Sequence, residues 1–396
     1  MKSGSHEMLE RLPVELQLLL SIVRTDDANE ARDHIRRLAE RSIDWDRFVY
    51  LAKQHRLYPV AASRIGQIGS SVFPEHVITA IRQLFMRNTF RMLQLTAVME
   101  NVCSELASGH IPTLVLKGPV IAEALYGDFS LRTSKDIDIL VPEHCIEQAE
   151  DRLLQLGFQP DEHTPRILNA LKRKKHHLGY THPGSGIQVE LHWRMSSDTF
   201  KESAFAELWE RRRTTKRTTK PVYYLGQEDL FVYLVSHGAR HAWFRLRWLA
   251  DIERMLRSDM NWDVAIKRCR QLGKTHVAGQ ALLLVAELYR MPLNEPCRAI
   301  AQRAEGRSLA EEAVPIIAEY IDIMERLTPA QYVAYFKRYN AMLLSTRQRW
   351  KRSVNKLYPD DLDAEVLALP RWLHFMYFPL RPFLWYRRKR KRRVTV

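Results

Sequence analysis

LVLKGPVIAEALYGDFSLRTSKDIDILV, residues 114–141, is the stretch whose reading decides the fold. Its last residues alternate as an extended strand requires, with Asp136, Asp138 and Leu140 on one face and Ile137, Ile139 and Val141 on the other. Two carboxylates therefore converge at the start of an apolar strand. Burying like charges is costly unless a cation neutralises them, which makes a bound divalent metal the economical reading. An isolated D-x-D is more often a solvated strand end. The flanking residues shift that balance.

Upstream, Thr113 to Leu116 reads as a short apolar strand that breaks at Lys117-Gly118-Pro119 and opens into a helical run. Pro119 suits the first helical turn, where free backbone N–H groups meet phosphate oxygens, and Lys117 stands beside them as a point charge. Downstream, Ile187 to Trp193 (IQVELHW) places Val189, Leu191 and Trp193 on one face and Gln188, Glu190 and His192 on the other. Glu190 is thus a third acid on a strand whose opposite face is apolar.

These residues together resemble the DNA polymerase beta superfamily of nucleotidyltransferases. The resemblance is closer to a bacterial group labelled uncharacterised nucleotidyltransferases, whose pattern is K-G, then R-x-S-x-D-I-D, then an E-L-H-W-like strand. Here these read Lys117-Gly118, Arg132-Thr133-Ser134-Lys135-Asp136-Ile137-Asp138 and Glu190-Leu191-His192-Trp193. The turn departs from the wider superfamily, carrying Gly118-Pro119 where glycine is commonly followed by serine or glycine. The resemblance implies an α+β fold, with a small mixed β-sheet core flanked by N-terminal and C-terminal helical modules. It implies transfer of an NMP from an NTP, ATP first among them, to an unidentified acceptor (small molecule, peptide or glycan precursor) with release of pyrophosphate. Asp136, Asp138 and Glu190 would hold two Mg²⁺ ions, about 3.5 to 4 Å apart in such sites. Lys117, Gly118, Arg132 and Ser134 would meet the nucleotide's phosphates, with Ser134 alternatively capping the turn. His192 shares the Glu190 face and is a candidate to orient the acceptor or to hydrogen-bond Glu190.

Composition sets outer limits. The 396 residues exceed a usual single domain, and a hydrophobic content of 46% is ample for a packed interior. Lys and Arg number 61 against 46 Asp and Glu, a net charge of +15, which favours anionic partners without choosing among nucleotide, nucleic acid and lipid. Cys103, Cys145, Cys269 and Cys297 are scattered and form no C-x-x-C pair, which speaks against a disulfide scaffold or a zinc site. The N-terminus lacks the basic start and small-residue cleavage site of a signal peptide, so cytoplasmic residence is expected.

In chain order, residues 1–110 read as an N-terminal helical module, including an amphipathic helix from Glu75 to about Gly109. His55-Arg56 reads as surface or structural. Residues 111–226 form the expected α/β core, in which Pro142 to Leu156 is helical, Lys172 to His177 a solvated basic loop, and Arg211 to Lys220 a closing loop. Residues 227–368 read as a C-terminal helical module. Within Glu228 to Leu256, His237 and His241 fall four apart on one helix face beside Arg240, and all three are candidates for the nucleotide or acceptor pocket. Trp248-Leu249-Ala250-Asp251 looks like the leucine-tryptophan helix of the related sequences.

The last stretch, residues 369–396, is an aromatic and polybasic tail. Leu369 to Tyr386 is aromatic and interrupted by Arg371, His374, Arg381 and prolines, which argues against a spanning helix. Seven consecutive cations follow, Arg387 to Arg393. An aromatic belt beside such a run suits the anionic inner face of a membrane, and an aromatic segment folded back over the core explains it equally well; nucleic-acid binding is the weaker choice. Two alternatives to the main functional reading stand: an inactive nucleotide- or partner-binding module at the membrane, disfavoured because all three acids are present, and transfer onto protein or RNA.

Overall fold

The structure, a computed structural model, describes residues 7–24, 28–68, 72–162, 170–196, 201–319, 330–359 and 361–394. Its centre is a mixed sheet of seven strands: β1 (Leu114–Val115), β2 (Asp136–Leu140), β3 (Gln159–Pro160), β4 (His177–His182), β5 (Ile187–His192), β6 (Arg213–Thr214) and β7 (Tyr223–Tyr224). Their order across the sheet is β3-β4-β5-β2-β1-β7-β6. β2 lies in the middle, antiparallel to β1 and parallel to β5, and β1 runs parallel to β7. This is the mixed sheet with helices before and after it that an α+β reading requires.

The alternation read in the sequence explains the burial. Ile137, Ile139, Val189 and Leu191 are fully buried on the apolar face of β2 and β5, leaving the opposite face for the acids. β4 and β5 form a hairpin whose turn carries Gly186 at φ +61°. The helix Glu75–Ser108 buries Val77, Ile81, Met92, Leu95, Met99, Val102 and Leu106 at helical spacing. Its Asn88 Nδ2 donates to the Ser130 carbonyl at 2.7 Å, which ties this helix to the turn before β2.

Two local expectations change. Residues 211–220, expected as loop, lead through β6 to β7 and so close one edge of the sheet. Strands of two residues carry no periodicity to read. Lys172 to His177, expected as a solvated loop, begins in the helix Ala170–Lys174 and ends with His176 and His177 half-buried against His192.

The apolar run from Glu228 to Leu256 is two helices, Gln227–Arg240 and Arg247–Leu256. The break lies at Ala242 and Trp243, both left-handed with φ +47° and +56°. The Trp243 N–H bonds the Gly238 carbonyl at 3.0 Å, and the indole lies so close over Gly238 that a Cβ there would overlap it. Gly238 therefore permits the sharp turn that sets the second helix against the first. The four cysteines are buried thiols. Among the described residues no helix is long and apolar enough to cross a membrane.

Candidate active site

In-register parallel pairing sets Asp138 opposite Glu190, Asp136 opposite Gln188 and Leu140 opposite His192. Side chains directly opposite on one face of a sheet are neighbours, so pairing alone brings the second aspartate and the glutamate together. Asp138 is fully buried, whereas Asp136 and Glu190 reach solvent. The Nε2 of His192 stands 3.2 Å from Asp138 Oδ1 and 3.2 Å from Glu190 Oε2. Lys117, delivered by the turn after β1, places its Nζ 2.9 Å from Asp138 Oδ2 and 3.4 Å from Asp136 Oδ1.

The electrostatics follow from these distances. Burial opposes charge on Lys117, but Asp138 and Asp136 outweigh it and hold the ammonium pKa above its ordinary value. Burial likewise opposes charge on His192, yet its hydrogen bonds to Asp138 and Glu190 raise the pKa from 6.5 to about 8. Burial would raise the Glu190 pKa; the bond from His192 and the charge of Lys117 instead lower it to about 2. His176, by contrast, is driven down to about 2, first by burial and then by the charges of His192 and His177.

A pH dependence follows. The folded pKa of His192 lies above the unfolded one, so its contribution, about 2 kcal/mol, is fully present below pH 6.5 and is lost as pH rises through about 8. Glu190 is depressed, so its contribution is present above pH 4.5 and is lost as pH falls toward about 2. Urea unfolding of metal-free protein should therefore show the His192 contribution declining toward pH 8, and a separate loss below pH 6.5, where His176 and His241 stay neutral in the fold but protonate when unfolded. His192→Gln should remove the alkaline decline.

The donor set fits a divalent cation. One ligand atom from each of Asp138, Glu190 and His192 falls within 4.8 Å of the other two, and the same holds for His176, His177 and His192. The Lys117 ammonium shows where positive charge is required, between the two aspartates.

Gly118 is needed for its backbone, at φ +96° and ψ −140°, a region only glycine occupies freely. Gly118→Ala should cost about 1–3 kcal/mol of stability and misplace Lys117, read as a lower urea midpoint together with weaker nucleotide binding. A midpoint equal to the parent's would show that the turn relaxes without loss.

Around the acids lies a cleft of about 530 Å³, in the range of small-molecule sites. Of the residues singled out from sequence, Lys117, Ser134, Asp136, Asp138, Glu190, His192, His237, Arg240 and His241 line it. Ser134 Oγ donates to the Asp136 carbonyl at 3.0 Å and so caps the turn. Arg132 does not reach the cleft. It is 2% exposed, with Nε and Nη2 each donating to a different oxygen of Asp251 at 2.9 Å, so its charge is already committed. Tyr126 donates to the same carboxylate at 3.0 Å, and Arg247 from the same helix as Asp251 donates to the Thr133 hydroxyl at 3.1 Å. These bonds fix the approach to β2 rather than a ligand.

Further residues of the wall are Arg56, His176, His177 and Trp248, which the sequence placed elsewhere, and Arg245 and Arg247, which it did not single out. Of the pair His55-Arg56, read as surface or structural, neither is exposed. His55 is fully buried, its Nδ1 accepting from Leu246 N at 3.3 Å, and Arg56 is left-handed at φ +56° and faces the cleft. Arg245 and Arg247 follow His241 across the break at Ala242 and Trp243, so helical spacing from His241 does not place them. His241 stacks on Trp248, with ring centroids 5.1 Å apart and an interplanar angle of 26°. Burial, followed by the Arg240 charge, lowers the His241 pKa to about 3, so it is a neutral imidazole near pH 7. The cleft thus sets three carboxylates on one side against arginines and neutral imidazoles on the other, an arrangement suited to a polyanion carrying a cation.

A sequence model of a family described as uncharacterised nucleotidyltransferase matches residues 41–290. No curated protein matches the chain. Among solved structures, a similar chain is an antigenic nucleotidyltransferase-like protein from Paracoccidioides brasiliensis, 15% identical, covering 53% of this chain and 97% of that one at a TM-score of 0.30.

Proposed function

This chain belongs to the uncharacterised nucleotidyltransferase family, and from that premise we propose a magnesium-dependent transfer of a nucleoside monophosphate from an NTP, ATP foremost, to a small-molecule, peptide or glycan-precursor acceptor. The observation that carries the reading is the meeting of Asp138, Glu190 and His192, with Lys117 bridging Asp136 and Asp138, in a cleft walled by cations. Asp136, Asp138 and Glu190 would hold two Mg²⁺ ions, which when bound supply charge to the triphosphate and to the attacking oxygen.

The chain's own groups do the rest. Lys117 and Arg240 neutralise charge that develops as the acceptor oxygen bonds the α-phosphorus and the bond to pyrophosphate breaks. Glu190, at the open edge of the acid cluster, takes the acceptor's proton, and His192 holds that carboxylate toward Asp138. The neutral imidazoles of His237 and His241 face the acceptor side, where they donate or accept without adding charge.

Calorimetric titration of NTP with and without Mg²⁺, followed by pyrophosphate release with candidate acceptors, tests the proposal. Absence of both NTP binding and metal binding would end it. Arg240 partners no carboxylate among the described residues, so its guanidinium is available to phosphate. Arg240→Ala should raise the KM for NTP by about 10–100-fold, the worth of one charge-assisted hydrogen bond, with a smaller change in kcat. Steady-state kinetics over an NTP series checks the split.

A further inference from the structure

The C-terminal segment is built with most of its aromatic residues outward. Its inner side is pinned: Tyr377 is fully buried, its hydroxyl donating to the Leu367 carbonyl at 2.7 Å and accepting from Leu369 N at 3.0 Å. Leu384 packs with it against Ala364, Val366 and Leu380. The buried carboxylate of Asp363 pairs with Arg381 and, at 3.0 Å, with Arg388. With the helix Tyr377–Val394 fixed in this way, Trp372, Phe375, Phe383, Trp385 and Tyr386 are left 74%, 58%, 72%, 52% and 63% exposed. An apolar surface of this kind, held rigidly outward, marks an interaction face rather than an unfinished core.

The charge that follows Glu365 in the sequence is of one sign. After Glu365 the sequence has no Asp or Glu, while it carries nine Lys and Arg, seven of them consecutive from Arg387 to Arg393. The adjoining helix Thr346–Leu357 (TRQRWKRSVNKL) also lacks acids, buries none of its residues and exposes Trp350 at 67%. It meets the C-terminal helix where the Arg381 Nε donates to the Lys356 carbonyl at 3.3 Å. Tryptophan, tyrosine and phenylalanine seat at the boundary between headgroups and acyl chains, and flanking cations add attraction to anionic headgroups. We propose that this surface lies on anionic phospholipid bilayers without crossing them. Charge complementarity selects the lipid, and the clustered exposed aromatics give the bilayer something to hold beyond charge.

The test is flotation of the full chain with vesicles of phosphatidylcholine alone or mixed with phosphatidylglycerol. Binding is expected to the mixed vesicles only and to weaken with salt. Trp372→Ala with Phe383→Ala and Trp385→Ala should weaken it by about tenfold or more, and R387Q with K389Q by a similar factor, while circular dichroism and NTP binding stay at the parent's level. Equal binding to neutral vesicles, no binding to either, tight RNA binding that vesicles do not displace, or a stable dimer that buries these tryptophans would each overturn the proposal.

Discussion

Asp138→Asn is expected to lower nucleotidyl transfer by about 10³-fold or more, the largest catalytic effect of any single substitution in this chain. Asp138 is fully buried and contacts both Lys117 and His192, so it joins the two sides of the acid cluster. Asparagine keeps the shape and removes the charge. Divalent-metal affinity should fall with turnover, because the amide oxygen brings no negative charge to a site suited to a hard cation. Stability should change less than activity, since Lys117 retains Asp136 and His192 retains Glu190. The decisive measurement is pyrophosphate release at saturating NTP together with a metal titration by calorimetry. A variant that keeps a tenth or more of parental turnover would show that charge at this position is not what the reaction needs. Asp136→Asn should follow the same direction.

The second large effect is on stability and lies away from the chemistry. Asp251→Ala is expected to cost about 3–5 kcal/mol, because it strands a buried guanidinium without its counter-ion. Arg132 is 2% exposed and Asp251 fully buried, and both Arg132 bonds to that carboxylate are 2.9 Å long. Tyr126 would lose its acceptor as well. Urea denaturation should show the loss as a lower midpoint, and chelating metal should not change its size. The apolar pair Arg132→Met with Asp251→Leu should recover much of the loss, since replacing a buried ion pair by packed hydrophobic side chains is often neutral or better. Full parental stability in Asp251→Ala would instead leave Arg132 available to phosphate, the role the motif suggested for it.

That reversal shows why motif reading reaches only part of the site. Asp136, Asp138 and Glu190 were legible because a strand has a period of two: once two short segments are strands, the face of each acid is fixed. Lys117 and Gly118 were legible as a turn, since a strand that breaks at glycine and reopens as a helix has few conformations. Arg132 carries the same charge in the sequence wherever its side chain points. Only packing against the helix Arg247–Leu256 shows that it is spent on Asp251, 119 residues away. The paired histidines 176 and 177 read as part of a basic run, and a basic run is ordinarily solvated. Their burial comes from the β4–β5 hairpin, which lays them against His192.

The sequence by itself determined the strand alternation, the three acids and the surrounding helices, because each depends on local periodicity and on the cost of burying unlike residues on one face. Tertiary structure alone decided which cations face the cleft and which brace the fold. A guanidinium's function depends on the carboxylate it meets first, and that meeting is set by contacts between segments far apart in the chain.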